Sequence, residues 1–348
     1  MRRVLFLFIM FLQLGSIENL AAENRIFITG GAGFIGSNFL SYMVEKYPSY
    51  KFVVLDTLTS GSLENIPEEI RNSNRVEIIE GSVLDSSLVE NIMTRITHVV
   101  HFAAEVDVLS SINGDDVFFQ ANVDGTRKLM QVLIKEQDHI ERFINISSAS
   151  VYGNYEEGAI SEDNMLMPIN PYGASKTAAD RLVYAYGKSY DLPVLSLRLF
   201  NNFGPRQKLG AIPAFIARAL AGQQISIHGD GKQQRDWLFV TDTARAIDLA
   251  LHKVPFSDLR NEVFNLGTAK ETSVIEAATK ITHEVSADPG IITHVPDVPG
   301  QVKRNFSNSE KALKVLSWEP EVSFDEGLLT TIAWYKKHPK RCMEILKR

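Results

Sequence analysis

The chain has one cysteine, Cys342, among its 348 residues. A single thiol excludes an internal disulfide and a thiolate metal site, and it permits a reducing, cytoplasmic setting. Basic residues are also short. Lys and Arg number 36 against 42 Asp and Glu, a formal net charge of -6, so the chain carries no basic footprint for nucleic acid. Internal repeats and low-complexity tracts are missing. The apolar run Val4–Leu14, after the basic start MRR, falls short of the ~20 residues that a membrane-spanning helix needs. It has the first two parts of a signal peptide. However, cleavage after Ala22 would put Leu20 where a small side chain is wanted. Residues 1–23 are therefore set apart, as an export or membrane-attachment segment or as a mis-set start. The rest is expected in the cytoplasm, with membrane contact only through that segment.

The whole chain is 45% hydrophobic and 22% charged, an ordinary globular balance. RIFITG, KFVVLD, VEIIEG, THVVHFAA and RFINISS read as short, continuous apolar strands. Helical periodicity separates most of them, as in GFIGSNFLSYMVEKY and after Asn122. Alternating strands and helices with unbroken apolar strands predict a parallel sheet covered on both faces. Past residue 200 the alternation loosens, as expected of a second, smaller lobe.

The first strand-to-helix turn reads TGGAGFIG, with Gly30, Gly33 and Gly36 at Gly-x-x-Gly-x-x-Gly spacing. Glycine serves there because the backbone must turn tightly and approach a pyrophosphate, which the helix N-terminus then receives. The second strand ends at Asp56, 20 residues beyond Gly36, where a carboxylate binds adenosine ribose hydroxyls. An acid there repels a 2′-phosphate and no arginine follows in DTLTSG, so the expected cofactor is NAD rather than NADP. The fold expected is a Rossmann-type doubly wound sheet over residues 24–195. A smaller C-terminal α/β lobe over 196–345 follows, with some segments returning to the sheet. Phe34, Ile35 and Ala103 are placed against the cofactor with the glycines and Asp56.

NPYGASK then supplies Tyr172 and Lys176 at i, i+4, on one helix face, downstream of a strand carrying Ser147 and Ser148. Bringing a tyrosine from a pKa of about 10 to near 7 takes roughly 4 kcal/mol of phenolate stabilisation. A lysine ammonium and the positive nicotinamide of NAD are suited to supply it. His101, in VVHFAA, reads as a core histidine without a ligand cluster, and no metal site is expected.

With TGGAGFIGSN, HFAAEVDV, NVDGT, SSASVYG, NPYGASK, RLFNNFGPRQ and QQRDWLFVTD, the chain resembles the extended short-chain dehydrogenase/reductases that modify nucleotide sugars. The resemblance implies tightly held NAD, a nucleotide diphosphate sugar as substrate, and a homodimer built on helices near 115–135 and 172–188. It implies that Tyr172 takes the C4 hydroxyl proton while hydride passes to NAD. Ser148 would bond the same oxygen, and Lys176 would hold the ribose and lower the tyrosine pKa. Asn201 would contact the nucleotide sugar and Arg235 its diphosphate, with Asp236 orienting the turn. The family's Arg-Pro-Gly-Asp reads VPGQ here, so Val298 removes a phosphate ligand that Lys303 or Arg304 is expected to replace. Ser82 stands where an Asp often meets the adenine.

The segment SSASVYG separates the reactions. Members resembling dTDP-glucose 4,6-dehydratase carry Thr-Asp-Glu before Val-Tyr-Gly, and UDP-glucuronate decarboxylases usually keep the Glu. Here Ser148, Ala149 and Ser150 stand in those places, and neither Ala nor a neutral Ser does that acid–base work. UDP-hexose 4-epimerases carry small residues there, so the expected activity is a 4-epimerase. The alternatives are a 4,6-dehydratase or decarboxylase with a relocated acid, Glu105 or Asp107, and a non-catalytic NAD-binding module.

Overall fold

The computed structural model describes residues 24–114, 116–252 and 255–347; the apolar N-terminal segment lies outside them. Six strands, β1 (Arg25–Thr29), β2 (Lys51–Asp56), β3 (Val76–Glu80), β4 (His98–His101), β5 (Arg142–Ser148) and β6 (Val194–Leu199), join a seventh, Val263–Leu266, in one sheet. The order is seventh–β6–β5–β4–β1–β2–β3, and every pairing is parallel. The direction of winding reverses between β1 and β4, the place where a doubly wound sheet opens a crevice for ligands.

Both faces of the sheet are buried because its strands are apolar on both sides. Ile26, Ile28 and Val54 pack into one apolar cluster and Phe27, Val53 and Leu55 into another. The expected strand THVVHFAA ends at His101. Beyond it, Phe102 still donates its N–H to the Thr29 carbonyl (3.0 Å), and Ala103 donates to the Thr29 hydroxyl (3.2 Å). The chain peels away there because its partner strand has turned at Gly30, and it becomes a wall of the crevice. His101 sits behind, buried between Thr29 Oγ1 (2.7 Å) and Thr126 Oγ1 (3.0 Å).

The smaller lobe is built from residues after 200. It holds helix Ala211–Leu220, the parallel pair Ile225–His228 with Ile292–Val295, and a three-stranded piece of Thr272–Ser273, Gln234–Arg235 and Arg304–Asn305. Its helices start on strong local signals. Ser273 with Glu276 and Ser323 with Glu326 each form a reciprocal capping box. A third apolar cluster, including Phe203, Phe215, Trp237 and Ile281, fills it.

Candidate active site

A cavity of about 900 Å³ runs along the crevice and into the smaller lobe. Its lining includes Gly30, Gly33, Phe34, Ile35, Gly36, Asp56, Ala103, Ser148, Tyr172, Lys176, Asn201 and Arg235. The structure thus brings these residues to one continuous surface, while Asp236, Lys303 and Arg304 lie off it.

The cofactor end follows from close backbone approach. Gly30 has φ +69° and donates its N–H to the Leu55 carbonyl at 2.7 Å. A Cβ on Gly30 would sit 2.7 Å from the Ala103 nitrogen, and one on Gly36 would sit 2.5 Å from the Gly30 oxygen. Side chains at those positions would collide with the backbone that forms the cradle beside the N-terminus of α1 (Phe34–Lys46). The Asp56 carboxylate accepts from the Ala32 and Leu58 amides, each at 2.9 Å. Burial raises its pKa and these amides oppose the rise. A glycine cradle, a helix N-terminus and a fixed acid at the end of β2 fit a dinucleotide: Asp56 would hold the ribose and the amides of the turn its pyrophosphate. Ser82 also lines this end, its hydroxyl turned to the Leu84 amide (3.1 Å).

The catalytic trio sits where β5 ends. Ser148 Oγ accepts from the Ser150 amide at 3.1 Å. Tyr172 lies in the first turn of helix Pro171–Tyr190, whose N-cap Asn170 accepts from the Gly173 amide at 2.7 Å. Burial pushes the Tyr172 phenol up, and a hydrogen bond with Ser148 pulls it back. Lys176, one turn further, donates to the Ile146 carbonyl at 2.7 Å. Its pKa falls to about 8, chiefly through burial, with Asp180 opposing. Ser148 therefore opposes the rise of the phenol, and the Lys176 ammonium is anchored on β5.

Tyr152, in the same motif, has a different task. Its hydroxyl donates to Asn265 Oδ1 at 2.7 Å and accepts from Arg198 Nη1 at 2.7 Å, with no exposed surface. Arg198 forms a buried pair with Asp180 (2.9 Å). The segment after Ser148 is thereby locked to the seventh strand and to the catalytic helix.

Motif reading missed two supports. Asn122 accepts from the Glu105 amide (2.8 Å) and donates to the Glu105 carbonyl (3.0 Å) and to Ser175 Oγ (2.9 Å). It ties the wall after β4 to the helix turn between Tyr172 and Lys176, and it lies in a π-helical stretch, Phe119–Asp124. Ser111 Oγ accepts from the Tyr172 amide at 3.2 Å. NVDGT marked the first of these without showing its task; no local pattern marks Ser111.

Of the two candidate relocated acids, Asp107 caps a helix. It accepts from the Leu109 and Ser110 amides and from Ser110 Oγ (3.0, 3.3 and 2.8 Å). Glu105 lines the cavity, and its carboxyl is pushed up by burial and by Asp107 and Asp56.

The substrate end contains polar atoms left over by the fold. Asn201 Oδ1, Gln207 Oε1, Gln301 Oε1, Asn305 Oδ1 and Ser147 Oγ are buried without partners, on residues that line the cavity. Arg235 is buried as well. Its described hydrogen bond goes to the Gln234 carbonyl at 2.8 Å, no carboxylate faces it among the described residues, and burial lowers its pKa to about 10. Asp236 orients this turn, accepting from Thr268, Ala269 and Ser307. A buried, unpaired cation beside unsatisfied acceptors suits an anionic, hydroxyl-bearing ligand. Val298 lines the cavity too. The replacements expected for its missing cation are spent elsewhere: Lys303 pairs with Asp297 and Arg304 with Glu271 (2.7 Å). Lys208, 3.6 Å from Glu344, and Arg206 also line the cavity.

The sheet, glycine cradle and Ser–Tyr–Lys cluster define an NAD-dependent enzyme of the extended short-chain dehydrogenase/reductase class. The family model described as GDP-mannose 4,6 dehydratase matches residues 27–331. The chain belongs to that family of NAD-dependent nucleotide-sugar dehydratases and epimerases. Among curated relatives, it is 39% identical to the low-salt glycan biosynthesis protein Agl12 of Haloferax volcanii, over 89% of this chain and 98% of the other. Among solved structures, the dTDP-glucose 4,6-dehydratase of Bacillus anthracis in complex with NAD has 36% identity and a TM-score of 0.84, covering 92% and 99% of the two chains. The UDP-glucose 4-epimerase of Thermotoga maritima with UDP-glucose has 31% identity and a TM-score of 0.83, covering 90% and 99%. No helix of the described residues is long and apolar enough to cross a membrane.

Proposed function

We propose that the chain oxidises a nucleotide diphosphate hexose at C4 and carries the 4-keto sugar on to loss of water across C5 and C6, a 4,6-dehydratase reaction. The observation that carries the oxidation is the Ser148–Tyr172–Lys176 cluster in one cavity with the unpaired cation Arg235. Bound NAD supplies the hydride acceptor for C4 and the hydride returned later to C6. Tyr172 takes the proton of the C4 hydroxyl, and Ser148 holds that oxygen. Lys176, fixed on the Ile146 carbonyl, adds positive charge beside the site. The dehydration that follows takes a proton from C5 and releases the C6 oxygen as water. Support for this outcome comes from the family description and from the B. anthracis enzyme. Glu105 is the carboxyl assigned to its proton transfers, because Asp107 caps a helix and Asp56 is held by two amides. Pairing of two copies through the helices at 125–135 and 171–190 belongs to the same reading.

A second reading, 4-epimerisation, is favoured by a specific observation: Ala149 and Ser150 leave no carboxyl beside Val151. In that reaction the keto sugar turns over and takes the hydride on its other face, with no further acid needed.

The two are separated by incubating the protein with dTDP-glucose, UDP-glucose, UDP-N-acetylglucosamine and UDP-glucuronate in deuterated water. Products are followed by mass spectrometry and proton NMR. Loss of water with solvent deuterium at C5, abolished by Glu105→Gln, is the expected result. A product of unchanged mass inverted at C4 moves the conclusion to the epimerase. Loss of carbon dioxide moves it to a decarboxylase.

A further inference from the structure

The last helix, Pro339–Leu346, lies outside every motif, yet one of its side chains is linked to two residues of the cavity wall, directly to Asn65 and through Glu344 to Lys208. Arg341 is 5% exposed. Its guanidinium donates in two directions: Nη2 to Asn65 Oδ1 at 2.8 Å, with the Glu64 carboxylate 3.6 Å from the same nitrogen, and Nη1 to Glu344 Oε2 at 2.9 Å. Asn65 is itself buried, lines the cavity, and donates to the Ala32 carbonyl at 2.7 Å. Ala32 belongs to the glycine-rich turn, and its amide binds Asp56. One arm of the guanidinium therefore braces the cofactor cradle from behind. The other arm holds the carboxylate of Glu344, which faces Lys208 on the substrate side at 3.6 Å. The adjoining Gln207 carbonyl accepts from Tyr335, the tyrosine beside which Cys342 of the last helix packs.

We infer that Arg341 is a positioning residue for both ligands: through Asn65 it fixes the turn that receives NAD, and through Glu344 it orients Lys208 toward the diphosphate of the sugar nucleotide. The substrate arm rests on the function proposed above; the cofactor arm rests on the NAD cradle alone. Arginine is required because its fork donates from two nitrogens to two acceptors, whereas a lysine ammonium is a single point on a flexible stem.

The test uses the full chain stripped of nucleotide, with NAD, UDP and dTDP titrated separately by calorimetry against wild type, Arg341→Met, Arg341→Lys and Glu344→Gln. Loss of a hydrogen bond to a charged group corresponds to roughly a tenfold change in affinity. Arg341→Met is expected to weaken NAD and the nucleotide each by about that factor, and Arg341→Lys is expected not to restore both. Glu344→Gln is expected to weaken the nucleotide while leaving NAD unchanged. A purely structural role would lower Tm and the active fraction but leave both dissociation constants of the folded protein as in wild type, and that result overturns the proposal. A wild-type chain that binds NAD but neither nucleotide overturns the function proposed above and the substrate arm with it. The NAD titration of Arg341→Met still decides the cofactor arm.

Discussion

The two walls of the cavity treat their polar groups differently. On the cofactor wall the fold has already satisfied them. Both Asp56 oxygens accept amides, the Gly30 amide reaches Leu55, and the Ala32 carbonyl accepts from Asn65 and Ser62. On the substrate wall the fold leaves them over. Arg235 faces no carboxylate among the described residues, and Asn201, Gln301 and Asn305 bury oxygens without partners. A satisfied wall is rigid before its ligand arrives. An unsatisfied one stores a desolvation cost that a matching ligand removes, so its specificity is sharper than its area suggests. The cofactor is held as a part of the structure, and the substrate completes the structure.

Several changes would break or sharpen this contrast. The largest effect is expected where the walls meet. Tyr172→Phe should lower kcat by about 10²–10⁴-fold while NAD content stays at the wild-type level, read from steady-state rates and from cofactor released on denaturation. Next comes a pair of arginines. Arg198→Met leaves the buried Asp180 carboxylate without its main partner and should cost about 3–5 kcal/mol in denaturant unfolding. Arg235→Met removes a buried charge that has no carboxylate, so its Tm should hold or rise while UDP binding falls. A fall in Tm equal to that of Arg198→Met would erase the distinction between the walls. On the cofactor side Gly36→Ala should cost roughly 1–3 kcal/mol in denaturant unfolding through the clash with the Gly30 oxygen, and it should weaken NAD binding while nucleotide affinity stays unchanged.

The smallest effect is a pH dependence. Burial lowers Lys176 from 10.5 to about 8. The sign follows from proton counts: between about 8 and 10.5 the unfolded chain binds more protons at this site than the folded one, so stability rises with pH across that window. Below about 8 both states are protonated and the cost of burying the charge is constant. Lys176→Met should flatten that rise in unfolding curves taken at successive pH values.

The parts of this molecule legible in the sequence are those where neighbours in the chain are neighbours in space. TGGAGFIG is a turn whose chemistry is local, and Tyr172 with Lys176 is one helical step. The strands announced themselves by apolar runs because both faces of a parallel sheet are covered. What stayed hidden joins distant segments. Asn65 meets Arg341 across 276 residues, and Tyr152 meets Asn265 across 113. A lone asparagine or arginine carries no periodicity that reports such a meeting. The fate of Lys303 and Arg304 was hidden for the same reason: Glu271, the partner of Arg304, lies 33 residues away, just before the strand Thr272–Ser273. The surroundings of the tyrosine also join separate segments: burial raises the phenol, and its hydrogen bond with Ser148, at the end of β5, opposes the rise.

The return of Val263–Leu266 to the edge of β6 has a consequence for how the chain is made. As synthesis proceeds from the N-terminus, β6 is complete while its outer hydrogen-bonding edge still lacks a neighbour, and the whole stretch from 200 to 262 must emerge before that edge is covered. An uncovered parallel strand invites pairing with another chain. A gene cut after residue 199 would yield a sheet with a permanently open, sticky edge, and also without the Asn265 anchor for Tyr152. The two lobes therefore make poor exchangeable modules, because the chain runs through the second before it returns to close the sheet of the first.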